Sequence, residues 1–164
     1  MKKVISIGIQ GFLELREQDC FFIDKTNFIK EWWDRKDIVT LITRPRRFGK
    51  TLNMSMMECF FSNKYANRAD LFEGLSIWEE EKYRKLQGTY PVIFLSFAAV
   101  KADNLPDVKE QIKQEIVRLY RRNGYLAESD CLSEEEKREY REISVEMSDA
   151  RLATSIGVLC EYMS

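Results

Sequence analysis

The stretch TLITRPRRFGKTLNMSMM, residues 40 to 57, decides how this chain reads. It closes an apolar, β-branched run and passes through Gly49-Lys50-Thr51, the tail of the phosphate-loop pattern G-x-x-x-x-G-K-[ST]. The first glycine of that pattern falls on position 44, which is arginine. Pro45 follows and forces Arg44 out of the helical region, so the chain leaves a strand into a loop there.

On either side the hydrophobic period changes. DIVTLIT, 37–43, is nearly continuous in apolar and β-branched residues, which predicts a buried strand. From Thr51 onward Leu52, Met56 and Phe60, with Met57 and Phe61, recur at helical spacing. Residues 37–61 therefore predict strand, loop and helix, the context a phosphate loop requires. Gly49 lets backbone approach the anion, Lys50 supplies charge, and Thr51 offers a hydroxyl to Mg²⁺ on the helix's first turn. Arg44 replaces the first glycine and Pro45 lacks an N–H, so the loop must curve differently with fewer amide donors, which Arg46 and Arg47 could partly offset with charge-assisted bonds to phosphate. The alternative is a basic surface loop between strand and helix.

The rest of the chain supports a mixed architecture. CFFID, 20–24, reads as a short strand or extended entry, and DKTNFIKEWWD as a helix capped by Asp24 or Thr26, with Phe28, Ile29, Trp32 and Trp33 on one face. A short helix is predicted near 77–86 and a second buried strand at PVIFLSF, 91–97, where Pro91 is allowed at the start. Three helices follow. The first spans about 106–122 with Val108, Ile112, Ile116 and Leu119 inward; the second starts at Ser133 with a Ser133–Glu136 capping box. The third carries Leu152, Ile156, Leu159 and Met163 on one face. Strands and helices in this order predict an α/β protein with a parallel sheet.

Composition narrows the chemistry. The 164 residues suffice for a core, and 45% apolar with 32% charged residues is ordinary for a globular chain. A net charge of −1 argues against a surface that seeks nucleic acid in general, so any electropositive site is local. There is no histidine, which removes His general bases, Ser-His and Cys-His pairs and His-containing metal sites. Cys20, Cys59, Cys131 and Cys160 form no C-x-x-C pair; reduced, buried thiols are the expectation. The opening MKKVISIGIQ is too short for a signal-peptide core or a membrane span, so the cytoplasm is expected. The acidic run Glu134–Glu136 reads as a solvated first helical turn, Trp32 and Trp33 as core and interface, and Met54, Met56 and Met57 as helix packing.

FFIDKTNFIKEWW, LITRPRRFGKTLNMSMM and FEGLSIWEEEKYRKLQGTYPVIFLSF together resemble the predicted AAA-ATPase-like family of bacterial proteins. There a (Y/F)-(V/I)-D-K-T segment precedes R-P-R-R-F-G-K-[ST] and a Y-P-V-I strand. The resemblance runs from about Ile7 to the C-terminus. It implies that Arg44 belongs to a variant Walker A motif, that Arg44, Pro45, Arg46, Arg47, Phe48 and Gly49 form the nucleotide-binding loop, and that Lys50 and Thr51 serve the phosphates and Mg²⁺ of ATP. Asp24, Lys25 and Thr26 match a family signature of unassigned role; a capped helix start explains them equally well.

A P-loop ATPase also needs a strand ending in Asp or Asp-Glu to hold the metal's water shell. PVIFLSF is followed by Ala98-Ala99, and Asp103 lies too far beyond it. Family members carry a LIDEYD-type strand soon after a helix like SIGVLCEYM, and Ser164 falls about where it should begin. The fold expectation is thus a P-loop NTPase-like strand–loop–helix core truncated before the Walker B strand. Residues 1–35 form an N-terminal extended segment and helix, and 36–164 the incomplete core. Many relatives add a C-terminal nuclease-like domain, which nothing here supports. The expected function is nucleotide binding with ATP and Mg²⁺ as cofactors, with hydrolysis requiring residues beyond this chain and the chain alone inactive. Association of copies through a cut sheet edge, or through the exposed last helix with Leu152, Ile156, Leu159 and Met163, is expected, and no membrane contact. The alternative is a non-catalytic or nucleic-acid-associated module using Arg44, Arg46 and Arg47.

Overall fold

The computed structural model describes residues 4–5, 8–43, 45 and 48–164, and helices are the regular elements among them. Two compact units divide the chain, Met1–Val92 and Ile93–Ser164.

The first unit is built around the helix that follows the loop. Helix α1, Phe12–Glu17, α2, Asn27–Arg35, and α3, Lys50–Phe61, carry its large apolar residues. Phe12, Ile29, Met56 and Phe60 are each 0% exposed. Aromatic rings interlock where the helices meet: Phe12 stacks on Phe72 at 5.1 Å, and Phe60 meets the same ring edge-on at 5.1 Å. Trp33 stacks on Phe61 at 5.6 Å, as a core rather than a base-stacking role requires. Phe12 N donates to Ser55 Oγ at 3.0 Å, which ties the start of α1 to the middle of α3. Of the three methionines on α3, Met56 is buried, Met57 half-buried and Met54 47% exposed, so Met54 does not pack.

Three short 3₁₀ turns, Asn63–Tyr65, Ala69–Leu71 and Ser76–Glu79, lead to helix α4, Glu81–Arg84. The chain then returns beside the end of α3: Gly88 N donates to Phe60 O at 2.8 Å and Tyr90 N to Phe61 O at 2.9 Å. Gly88 has φ +69°, and a Cβ there would lie 2.3 Å from Ala66 Cα. Only glycine fits both the left-handed backbone and the close approach.

The second unit packs α5, Leu105–Arg122, α6, Glu134–Arg141, and α7, Asp149–Tyr162. Asn104 caps α5 and Pro106 occupies its first turn, while Ser133 and Glu136 form the expected capping box on α6. Ile116, Leu119 and Leu159 are buried together. Two tyrosines connect the helices: Tyr140 OH donates to Tyr120 O at 2.6 Å and Tyr120 OH to Ser155 O at 2.7 Å. On α7 the inward face centres on Ser155 and Leu159; Ile156, expected inward, is 38% exposed.

The parallel-sheet P-loop core expected from the sequence is not present among the described residues. No strand and no sheet form there; the pairing consists of two isolated parallel bridges, Val4 with Cys20 and Ser62 with Tyr90. The 37–43 run has no regular structure in its described residues, and Ile38, Val39 and Leu41 are 99%, 85% and 83% exposed. The 91–97 segment likewise forms no ladder. An apolar β-branched pattern states a preference for a pleated, covered surface, but a strand exists only when neighbours bond its backbone and cover its faces. Val92, Ile93 and Leu95 are partly covered, but no neighbouring strand bonds either run's backbone among the described residues, so no sheet edge is present there for copies to pair through. All four cysteines are free thiols, as expected; Cys20 and Cys59 are buried, whereas Cys131 and Cys160 are exposed, contrary to the expectation that they are buried.

Candidate phosphate-binding site

Gly49 takes φ +75°, ψ +18°, and helix α3 begins at the next residue. That left-handed residue turns the chain sharply enough for the helix to open directly from the loop. The first turn of α3 therefore points its amide N–H groups and the positive end of its dipole at the loop. Gly49 O accepts from Asn53 N at 2.9 Å, closing that turn.

Beside it lies a cleft of about 360 Å³ lined by Lys25, Phe28, Ile42, Phe48, Lys50 and Asn53. Its volume falls within the ordinary range for small-ligand sites. Among its described lining residues two are lysines and none is a carboxylate. Lys50 Nζ donates to Pro45 O at 3.2 Å, so its side chain spans the loop. Phe48 is 63% exposed at the mouth. Thr51 sits on the exposed side of α3's first turn and does not line the cleft. Of the expected loop residues, Pro45, Phe48, Gly49, Lys50 and Thr51 are thus described, while Arg44, Arg46 and Arg47 lie outside the described residues.

The Asp24-Lys25-Thr26 segment brings in what sequence reasoning left open. Thr26 stands at the N-cap of α2, but its backbone is already helical and its side chain makes no cap bond. Its hydroxyl donates to Asp24 Oδ1 at 2.7 Å and accepts from Ile77 N at 3.0 Å. Asp24 Oδ1 also accepts from Thr26 N at 2.8 Å, and Oδ2 accepts from Ser76 N at 2.7 Å and from the Ser76 hydroxyl. Partial burial pushes the Asp24 carboxyl up, but the bonds from Ser76 and then Thr26 outweigh it and hold its pKa at about 2. Asp24 and Thr26 therefore clamp the entry to α2 onto Ser76 and Ile77, and Lys25 projects between them into the cleft. A Cβ on Gly49 would sit 3.8 Å from Lys25 Nζ.

The sequence pattern missed Lys25 and Asn53 as lining residues. Asn53 was legible in principle, because it stands one turn along the helix from Lys50. The Asp24–Ser76 link spans 52 residues and leaves no local signature.

The chain belongs to the predicted AAA-ATPase family, whose sequence profile matches residues 6–162. It is also similar to an uncharacterized protein in the vnfD 5′ region of Azotobacter chroococcum mcd 1, with 29% identity over 114 residues. That match covers 69% of this chain and 20% of the relative, so the chain spans about a fifth of the length of the curated relative it matches. No solved structure matches the chain. No helix among the described residues is long and apolar enough to cross a membrane.

Proposed function

We propose that this chain binds a nucleotide, ATP or ADP, by its phosphates at the start of α3. Residues Arg44 to Gly49 form the loop, Lys50 contacts the β- and γ-phosphates, and Thr51 offers its hydroxyl to the accompanying Mg²⁺. The observation that carries this reading is Gly49, left-handed and opening a helix at Lys50 beside a cleft whose described lining includes two lysines and no carboxylate. Such a cleft is electropositive by construction, and a helix N-terminus adds to that field. Family membership points the same way.

The donor set suits phosphate better than metal. Among the described residues no group of three or more His, Cys, Asp or Glu converges, so a metal ion here would rest on the Thr51 hydroxyl and on phosphate oxygens. Hydrolysis also needs a group to orient water, and the described lining holds no acid for that role. We assign that group to residues outside this chain. In this proposal the 1–35 region contributes Lys25 and the 36–164 region contributes Phe48, Lys50 and Asn53, so the two sequence regions form one site.

Thermal unfolding tests the reading. At a hundred times its dissociation constant a ligand adds about 2.7 kcal/mol, which raises Tm by roughly 5–10 °C for a chain of this size. Mg-ADP or Mg-ATP is expected to give that shift in the parent and none in Lys50→Ala. An equal shift in the variant places the nucleotide elsewhere.

A further inference from the structure

We propose that Asp24-Lys25-Thr26 is a mount that brings a second ammonium group, that of Lys25, onto the phosphates of the nucleotide; this rests on the nucleotide reading above. Lys25 is exposed, and an exposed lysine normally samples many positions. Here its backbone is fixed on both sides. Asp24 accepts four hydrogen bonds from Thr26 and Ser76, and the buried Thr26 hydroxyl also accepts from Ile77 N. Thr26 and Ile77 are both 0% exposed, so the mount is rooted in the core and not in a surface turn.

The side chain carried by this rigid base lines the same cleft as Lys50. Its Nζ approaches the Gly49 backbone, with 3.8 Å between it and the position of an added Cβ. Among the described residues Lys25 makes no ion pair, and the neighbouring Asp24 carboxylate is already engaged by four donors. Two ammonium groups share one lining, and none of its described residues is a carboxylate, so the cleft favours an anion that both can reach. A polyphosphate carries several charged oxygens and can accept from Lys50 and Lys25 at once. Lysine serves phosphate as a point charge, so Lys25 contributes attraction to any di- or triphosphate and nothing to base identity.

The test is isothermal titration of the full chain, as parent, Lys25→Met, Lys25→Arg and Lys50→Ala, with Mg-ADP, tripolyphosphate, adenosine and a single-stranded oligonucleotide. Circular dichroism and Tm confirm that each variant is folded. Removing one charge-assisted bond is expected to weaken Mg-ADP and tripolyphosphate by about 10- to 100-fold in Lys25→Met. Lys25→Arg is expected to recover most of that, and adenosine binding to stay unchanged. If Lys50→Ala loses Mg-ADP while Lys25→Met binds like the parent, the mount is overturned and the nucleotide reading stands. If the parent binds neither Mg-ADP nor tripolyphosphate, the nucleotide reading fails and the mount with it. If the lysine variants lose only the oligonucleotide, both proposals are replaced by a nucleic-acid contact.

Discussion

Replacing Asp24 by Asn isolates the clamp that joins the start of α2 to Ser76. The Asp24 carboxyl drops from its ordinary 3.8 to about 2, because the bonds from Ser76 and Thr26 outweigh the opposing effect of burial. Ideal linkage converts that drop to about 2.4 kcal/mol, and the exposure of the group to water reduces it to about 1 kcal/mol. The amide keeps an oxygen for Thr26 but turns its own donor towards Ser76, which leaves the Ser76 N–H and hydroxyl competing for water. That adds about 1 kcal/mol. The expected loss at neutral pH is therefore about 2 kcal/mol, or a Tm lower by about 4–8 °C. The sign with pH follows from a depressed carboxylate. The ionic part is fully present above the unfolded value near 3.8 and is lost as pH falls through the folded value near 2. Urea unfolding followed by tryptophan fluorescence reads this well, since Trp32, Trp33 and Trp78 all lie in the first unit. The gap between parent and variant should narrow between about pH 4 and pH 2. A gap below about 0.5 kcal/mol at pH 7, or one that stays constant across that window, refutes the clamp as a source of stability.

Three further outcomes are expected. Gly88→Ala places a Cβ 2.3 Å from Ala66 Cα at φ +69°, so strain and overlap should cost about 3 kcal/mol or more and lower Tm by at least about 6 °C; a change within 1–2 °C would mean that this return path is wrong. Burial, then the nearby Glu58 charge, pushes the Cys59 thiol up to about 12, so iodoacetamide at mildly alkaline pH should modify Cys131 and Cys160 in the native chain and reach Cys59 only in denaturant, as peptide mass mapping will show. With a net charge of −1, duplex and single-stranded DNA should bind negligibly even at low salt; submicromolar binding that falls steeply with salt, in a gel or anisotropy assay, would instead favour a phosphate-backbone role for Arg44, Arg46 and Arg47.

The features legible in the sequence are those whose causes lie within a few residues. Ser133 and Glu136 satisfy each other across one helical turn, and the glycine before Lys50 permits the left-handed step that opens α3. Each is a short-range hydrogen bond or a backbone preference, so it is written locally and survives any packing. The order of motifs along the chain likewise marks the family to which it belongs.

Tertiary structure decided what needs a distant partner. The runs at 37–43 and 91–97 carry strand composition, yet a strand depends on a neighbouring backbone that no local pattern specifies, and the described residues supply none. Asp24 resembles a helix cap until Ser76, 52 positions on, donates to its second oxygen and makes Lys25 part of a cleft. Gly88 is one of 7 glycines in the sequence and becomes indispensable only because Ala66 approaches it. These contacts form when core burial repays the entropy of closing long loops, and that balance belongs to the whole unit, so no short window of sequence contains it.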